Sequence, residues 1–399
     1  MSIPASLAVT IRRNSSALHL FLPLLLFGMA QSMLGASTPL LKAALSPSDF
    51  IISAHFFVYA AGRIISGPVA STLRDRGSTR SAPALEGWAA AGLGSAMCGL
   101  FSLQSLGVTL GSAFLIGLFA GSLHVLIQIR INQESSESSS SKFAAAYLWV
   151  SIGVFLFPFI LGLILSKDWT SLSSLIMPLA LVGATIVFFL LGKYKINTTE
   201  HSPLIAKSDR LSSLGWKLLC LVAVNSCFEW AFGFWGSYYA QSRFGFTTST
   251  SLSIMSAYLL MTIVGRLLNI FVLKVLRPIV AYRIYAVTSM IVLVTIFMAP
   301  SPALFTLLFP VIGFFAGCLF PTNLALANAY IQKEFSAFIA RSTVVGGLAL
   351  LIFPVTLGSL AQMTSIELSF AAVSITAMLI VIGILFSLKA QERRLDASE

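Results

Sequence analysis

Residues 62 to 80 read Gly-Arg-Ile-Ile-Ser-Gly-Pro-Val-Ala-Ser-Thr-Leu-Arg-Asp-Arg-Gly-Ser-Thr-Arg, and residues 265 to 283 read Gly-Arg-Leu-Leu-Asn-Ile-Phe-Val-Leu-Lys-Val-Leu-Arg-Pro-Ile-Val-Ala-Tyr-Arg. The two stretches match without a gap at a constant offset of 203 residues. The identical positions are Gly62 and Gly265, Arg63 and Arg266, Arg74 and Arg277, and Arg80 and Arg283. Identities in one register indicate that the second stretch is a duplicate of the first.

A second repeat follows at an offset of 196 residues. There Gly117-Leu-Phe-Ala-Gly-Ser-Leu aligns with Gly313-Phe-Phe-Ala-Gly-Cys-Leu, and Phe157-Pro158 aligns with Phe353-Pro354. We therefore predict two homologous halves, 1–195 and 213–399, joined by a polar linker at 196–212. Internal repetition of apolar halves is typical of secondary transporters.

The composition is that of a membrane protein. The chain has 399 residues, of which 57% are hydrophobic and 10% charged, and its mean hydropathy is +0.91. These values exclude an ordinary soluble domain. The net charge of +11 is spread over short loops without a basic stripe, so it does not predict a nucleic-acid partner. All four cysteines lie inside apolar runs, which favours packing over metal binding or disulfides.

Apolar runs of about 20 residues, the length that crosses a bilayer, recur along the whole chain. Counting them predicts an all-α membrane protein with twelve transmembrane helices in two six-helix halves. The predicted spans are 18–41, 50–72, 84–103, 107–130, 143–166, 172–192, 214–240, 250–273, 281–299, 303–330, 338–361 and 367–388.

Basic residues predict the orientation of these spans. With the N-terminus in the cytoplasm, the cytoplasmic segments hold 20 of the 25 Lys and Arg, and the outer loops hold only Lys42, Lys167 and Arg243. This bias follows the positive-inside rule. We therefore predict a multi-pass protein of the cell inner or plasma membrane with both termini in the cytoplasm.

The remaining two cations, Arg63 and Arg266, lie inside predicted spans. Each precedes a cytoplasmic arginine by eleven residues, which at about 1.5 Å per residue places it roughly 16 Å deep, near the bilayer centre. Intramembrane arginines are costly and normally mark a pathway or a partner. We expect either a contact with an anionic substrate or a structural clamp between helices.

Glu229 is the deepest acidic residue in the predicted spans, twelve residues beyond Lys217. A buried carboxylate must be protonated or paired. Glu229 is thus the first candidate for proton coupling, and a permanent ion pair with Arg266 or Arg63 is the alternative. His124 is a second candidate for proton coupling, and a hydrogen bond between helices is its alternative.

Other polar or aromatic side chains inside the spans are candidates for substrate contacts, although hydrogen bonding or packing between helices would also explain them. These candidates are Gln31, Asn225, Trp230, Asn269 and Asn323.

The loop after the second predicted span resembles that of the major facilitator superfamily. Members typically have Gly, a few residues and then Asp-Arg-x-Gly-x-Arg, and here Gly67 is followed by Asp75-Arg76-Gly-Ser-Thr-Arg80. The separation of Gly67 from Asp75 is eight residues, whereas the family usually has four. The resemblance implies a fold of twelve helices in two halves, alternating access, and a gating role for Gly67, Asp75, Arg76 and Arg80.

Two finer resemblances imply an anionic substrate. Gly265-Arg266 resembles the eighth-helix motif of organic-anion carriers, and Arg63 resembles the second-helix arginine of nitrate and nitrite porters. A rival resemblance to the fucose and proton symporters rests on Glu229-Trp230 and Phe320-Pro321-Thr322. The glycine-rich fifth-helix motif of drug and proton antiporters is missing.

The sequence therefore predicts a secondary transporter that moves a small polar, anionic metabolite by alternating access, coupled to protons. Neutral sugar or nucleoside symport and drug or metabolite efflux are the alternatives, and a receptor without transport is a remote one. No Walker A loop is present in the sequence, so ATP does not drive transport. We expect a monomer in the lipid bilayer that has no cofactor and is not an enzyme, with a solute and a coupling ion as its partners.

Overall fold

A computed structural model describes residues 5–76, 82–133, 139–166, 211–298 and 301–396. Within these residues the chain forms eleven α-helices and one short 3-10 turn, Gln332–Glu334. The helices are α1 (Ala5–Leu45), α2 (Asp49–Arg76), α3 (Ala82–Phe101), α4 (Leu106–Gln133), α5 (Ser139–Ser166), α6 (Ser213–Phe244), α7 (Thr248–Val275), α8 (Pro278–Phe297), α9 (Pro302–Tyr330), α10 (Phe335–Met363) and α11 (Ile366–Asp396).

The predicted all-α membrane fold is confirmed. Ten of the helices in the described ranges are long and apolar enough to cross a membrane, and helices are what a bilayer demands, since every backbone polar group must be paired within the segment. The helix α3 coincides with a further predicted span. The predicted span 172–192 and most of the linker 196–212 lie outside the described residues, so the count of twelve stays a prediction.

Local sequence signals determine where the helices end. Ser212 caps α6, because its hydroxyl accepts a hydrogen bond from the Gly215 backbone N–H at 3.2 Å. Gly245 ends the same helix in the left-handed conformation, with φ of 65°, which glycine adopts without strain. Glu334 strengthens the start of α6, because its Oε2 accepts bonds from Ser212 N at 2.8 Å and Ser212 Oγ at 3.0 Å.

The described residues divide into two compact units. Unit 1 contains 5–37, 58–76, 82–133 and 139–166, and unit 2 contains 38–57 together with 211–298 and 301–396. The ends of α1 and α2 on either side of their connecting loop therefore pack with the C-terminal helices. The halves predicted from sequence, 1–195 and 213–399, stay a prediction about the origin of the chain.

The same glycine packing occurs once in each unit. A Cβ atom added to Gly62 of α2 would lie 2.3 Å from the carbonyl oxygen of Phe114 in α4. A Cβ atom added to Gly265 of α7 would lie 2.1 Å from the carbonyl oxygen of Phe314 in α9. Glycine is needed at both positions because the backbones approach too closely for any side chain.

These contacts correct the second sequence repeat. A Cβ atom on Gly117 would lie 2.0 Å from the Tyr59 carbonyl oxygen, and one on Gly317 would lie 2.2 Å from the Thr262 carbonyl oxygen. Tyr59 and Thr262 are related by the offset of 203, so the structural counterpart of Gly117 is Gly317. The alignment of Gly117 with Gly313 is wrong by four residues, about one helical turn.

Alanine at Gly117 is expected to destabilise the protein by about 1–3 kcal/mol, the usual cost of overpacking. The matched control is Gly111→Ala in the same helix, where an added Cβ meets nothing within 4 Å. Thermal unfolding of the purified protein measures both variants. Equal unfolding temperatures for the two would contradict the close approach of α2 and α4.

Candidate functional site

Arg63 lies near the middle of α2, facing the glycines of α4. A Cβ atom on Gly121 would lie 3.3 Å from Arg63 Cγ, and one on Gly117 would lie 3.1 Å from the Arg63 backbone nitrogen. The two small residues thus leave room for the aliphatic stem of the arginine. Ser66 reinforces this turn of α2, since its hydroxyl donates to the Arg63 carbonyl oxygen at 2.6 Å.

The ring of Phe27 lies against the Arg63 guanidinium. Its central carbon lies 5.1 Å from the centroid of the Phe27 ring, a distance typical of cation–π attraction. The ring of His124 stacks on Phe27, with centroids 4.2 Å apart and planes at 6°. The buried Tyr59 hydroxyl lies within electrostatic reach of Arg63, but makes no hydrogen bond of good geometry with the described residues.

No carboxylate of the described residues forms an ion pair with Arg63. A ring face attracts a cation without accepting the in-plane N–H bonds of a guanidinium. The contact with Phe27 therefore stabilises the positive charge of Arg63 and leaves its N–H groups able to donate hydrogen bonds to an anion.

Arg266, the counterpart of Arg63 in unit 2, has a carboxylate partner. Its Nη2 atom donates a short hydrogen bond to Glu229 Oε1 and forms an ion pair with it. The Arg266 and Glu229 side chains are 35% and 29% exposed, so this pair is neither sealed in a core nor fully solvated. Tyr258 donates from its hydroxyl to the Glu229 carbonyl oxygen at 3.4 Å. The ion pair is one of the two alternatives predicted for Glu229.

A polar cluster lies one turn from Arg266. The Asn269 Oδ1 atom accepts hydrogen bonds from the Tyr285 hydroxyl at 2.9 Å and from the Thr322 hydroxyl at 3.2 Å. The Cys318 thiol donates to the Gly265 carbonyl oxygen at 3.4 Å. These bonds join α7, α8 and α9 and fix the turn of α7 that carries the arginine.

Two further predicted contacts bond neighbouring helices in unit 2. Asn225 is buried and donates to the Tyr282 hydroxyl at 2.6 Å. Asn323 is buried and donates to the Leu218 carbonyl oxygen at 3.2 Å. These bonds agree with the alternative expectation for both residues, which was hydrogen bonding between helices. Their role in substrate binding stays a prediction.

The last two predicted contacts are half-buried. Trp230 of α6 packs against Phe234 with ring centroids 4.8 Å apart. Gln31 lies in α1, within unit 1. Neither position decides between substrate binding and packing.

The residues predicted to act as a cytoplasmic gate are only partly described. Gly67 is half-buried in α2, and an added Cβ there would meet nothing within 4 Å. Asp75 and Arg76 belong to the last turn of α2, but their side chains lie outside the described part of the structure. Arg80 lies outside the described residues altogether.

Sequence reasoning missed three residues. Phe27 and Tyr59 were overlooked because aromatic residues in an apolar run are usually packing residues, although Tyr59 precedes Arg63 by one turn on the same helix face. Glu86 of α3 is also buried, with 2% of its surface exposed. The sequence did not predict this burial, because Glu86 lies near the start of a predicted span, where carboxylates are usually solvated.

Several solved structures share the fold of this chain. A bacterial homolog of the human lysosomal transporter Spinster, in an inward-facing and occupied conformation, has a TM-score of 0.75 at 11% identity, with 95% of this chain and 97% of that chain covered. A POT family transporter in complex with 5-aminolevulinic acid has a TM-score of 0.74 at 14% identity, covering 94% and 96%. A D-xylose-proton symporter has a TM-score of 0.65 at 15% identity, covering 92% and 96%.

No curated protein matches the chain by sequence. The family model of the Major Facilitator Superfamily, however, matches residues 20–294, which is more than half of the chain. The helical fold, the duplicated glycine packing and this match agree. The chain belongs to the Major Facilitator Superfamily of membrane transporters.

Proposed function

We propose that this transporter carries a small anionic solute, with Arg63 binding its negative charge and the Glu229–Arg266 pair coupling transport to protons. The observation that carries the proposal is the contrast between the two duplicated arginines. Arg266 has a carboxylate partner, whereas Arg63 lies against the Phe27 ring and forms no ion pair within the described ranges.

An unpaired arginine at membrane depth is expensive. Insertion costs about 2.5–3.5 kcal/mol, whereas a cation–π contact returns only about 0.5–2 kcal/mol. The remaining cost is offset when an anion binds, because a guanidinium donates two parallel hydrogen bonds to a carboxylate, phosphate or similar oxyanion. The solute itself would thus be the missing partner of Arg63.

Glu229 is a suitable proton-coupling residue because its side chain forms an ion pair with Arg266 and is partly exposed. A deprotonated Glu229 neutralises Arg266, and a protonated one releases it. In this scheme the positive charge that Arg266 regains when Glu229 is protonated favours binding of the anion, so a proton and an anion bind together.

His124 offers a second proton site. Its ring stacks on Phe27, which also lies against the Arg63 guanidinium, so a proton bound at His124 would lie close to an anion bound at Arg63. Anion and proton would then bind together in unit 1 as well.

The remaining expectations complete the proposal. Gln31, Asn225, Trp230, Asn269 and Asn323 are proposed as solute contacts, and Gly67, Asp75, Arg76 and Arg80 as the cytoplasmic gate. The protein is proposed to act as a monomer in the inner or plasma membrane, with both termini in the cytoplasm, as a carrier rather than an enzyme.

A ligand screen by thermal unfolding tests this proposal. Purified protein is heated with acetate, lactate, succinate, phosphate, sulfate or nitrate, and in parallel with xylose, fucose or a nucleoside, at two pH values. A bound solute raises the unfolding temperature by mass action. We expect an anion to stabilise the protein, and more strongly at the lower pH.

Neutral sugar or nucleoside symport is the second candidate function. It is favoured by the ring-rich part of α6, where Trp230 packs on Phe234, and by the fold shared with the D-xylose-proton symporter. Stabilisation by a sugar or nucleoside, with none by any anion, would establish this candidate and overturn the anion proposal. A hydrophobic cation such as tetraphenylphosphonium is added to the same screen, and stabilisation by that cation alone would favour efflux.

A further inference from the structure

The hydroxyl of Tyr59 is a buried polar group that the proposed transport scheme does not use. Tyr59 lies one helical turn before Arg63 in α2, so the two side chains project from the same face of the helix. We propose that Tyr59 donates a hydrogen bond to the anion held at Arg63 and thereby selects a compact oxyanion over a halide. This inference rests on the proposed role of Arg63 and names the class of its anion.

The turn of α2 that carries both residues is held against α4. A Cβ atom on Gly117 would lie 2.0 Å from the Tyr59 carbonyl oxygen and 3.1 Å from the Arg63 backbone nitrogen. The two backbones approach this closely because position 117 is a glycine. The side chains of Tyr59 and Arg63 therefore start from positions that the helix packing fixes.

The phenolic proton of Tyr59 has no acceptor in the described part of the chain. Tyr59 is completely buried, and its hydroxyl makes no hydrogen bond of good geometry with the described residues. The Arg63 guanidinium lies within electrostatic reach, but arginine has donors only and cannot accept this proton. A buried donor without an acceptor is costly, and an anion bound at Arg63 would supply the acceptor.

The duplicated position in unit 2 carries a hydroxyl that is already bonded. Thr262 of α7 is the counterpart of Tyr59 at the offset of 203, and its hydroxyl donates to the Leu259 carbonyl oxygen at 2.7 Å. Arg266 likewise has a carboxylate partner in Glu229. In unit 1, by contrast, the cation has no carboxylate partner and the hydroxyl has no acceptor within the described ranges.

This pair of donors favours an anion with several oxygen atoms. A guanidinium donates two parallel N–H bonds to two oxygens of a carboxylate or similar oxyanion. Each of these oxygens keeps a further lone pair, which can accept from the Tyr59 hydroxyl. A halide is a single atom, too small to meet the guanidinium fork and the hydroxyl at once. Its binding would leave the phenolic proton unpaired, and a buried donor left unpaired is what rejects a ligand of the wrong shape.

Thermal unfolding of the purified protein with graded concentrations of sodium acetate, nitrate, phosphate or chloride tests this inference. Stabilisation follows mass action, so its concentration dependence gives an apparent affinity. Stabilisation that persists in Arg63→Met reports general salt effects and is subtracted. We expect Tyr59→Phe, which removes only the hydroxyl, to weaken binding of the stabilising oxyanion by about 10-fold to 100-fold and that of chloride by less than about threefold.

Two other tyrosines serve as controls. Tyr239 is a buried tyrosine of unit 2 whose ring packs on Phe370, and Tyr239→Phe should leave both affinities unchanged. Without any ligand, Tyr59→Phe should unfold at the same or a higher temperature than the unaltered protein, because phenylalanine has the same shape and no unpaired donor. Tyr282→Phe should unfold at a lower temperature, because the Asn225 amide then loses its acceptor at 2.6 Å.

The outcomes separate this inference from the proposed function. An oxyanion affinity of Tyr59→Phe equal to that of the unaltered protein, or an equal loss for chloride, would overturn the selective role of the hydroxyl and leave Arg63 as the anion site. A fall in the unfolding temperature of Tyr59→Phe as large as that of Tyr282→Phe would make the hydroxyl structural. If no oxyanion stabilises the unaltered protein more than Arg63→Met, the proposed function fails and this inference fails with it.

Discussion

Arg63→Met is expected to reduce uptake of the solute into proteoliposomes by about 100-fold or more. Two charge-assisted hydrogen bonds are worth roughly 3–6 kcal/mol together, and each 1.4 kcal/mol corresponds to about tenfold in affinity. Methionine keeps the unbranched stem between α2 and α4 but removes the charge and every donor. The measurement is the initial rate of uptake of the anion that the ligand screen identifies.

Arg63→Lys is the matched control for charge. Lysine keeps the positive charge but loses the planar pair of donors, so we expect about tenfold weaker binding rather than complete loss. Normal uptake by Arg63→Met would show that Arg63 is a structural residue.

Glu229→Gln is expected to abolish accumulation driven by a pH gradient while preserving exchange of labelled for unlabelled solute. Glutamine cannot release a proton, so the variant behaves as a permanently protonated carrier. Exchange needs only reorientation with solute bound, whereas accumulation needs the proton as well. Uptake with and without a pH gradient, followed by counterflow, separates the two activities.

Glu229→Asp serves as the control, because it retains an ionisable carboxylate near Arg266. If Glu229→Gln accumulates solute as well as the unaltered protein does, the ion pair with Arg266 has a purely structural role. Protons would then be coupled at another residue, and His124 is the next candidate.

The helices were predictable because a bilayer imposes them. Backbone groups must pair internally and about 20 apolar residues are needed to cross, so hydropathy alone locates each described helix. The exact ends were less predictable. The first helix extends from Ala5 to Leu45, well beyond the predicted span 18–41, because helices continue past the hydrocarbon core where hydropathy no longer reports them.

The register of the second repeat was not predictable, and the reason is physical. Gly117 and Gly121 are four residues apart, as are Gly313 and Gly317, because glycines that admit a neighbouring helix recur about once per turn. An alignment that slips by one turn still matches glycine to glycine. Only the facing carbonyl oxygens of Tyr59 and Thr262 identify the counterparts.

The sequence predicted which charged residues lie inside the membrane spans, but it did not predict which side chains surround them. Arg63, Arg266 and Glu229 stand out because charged residues inside apolar spans are rare. The sequence left open whether Glu229 pairs with Arg266 or with Arg63, since depth alone cannot choose between them. It also could not show that Phe27 lies beside both Arg63 and His124, because its partners come from other helices.

The central claim is that Arg63 is kept for an anion at a cost in stability, and paired thermal unfolding tests it without knowledge of the solute. Purified Arg63→Met and Arg266→Met are compared with the unaltered protein in the same detergent. We predict an unchanged or higher unfolding temperature for Arg63→Met, since a costly charge is removed, and a lower one for Arg266→Met, which leaves Glu229 without its partner. A drop for Arg63→Met as large as that for Arg266→Met would contradict the account.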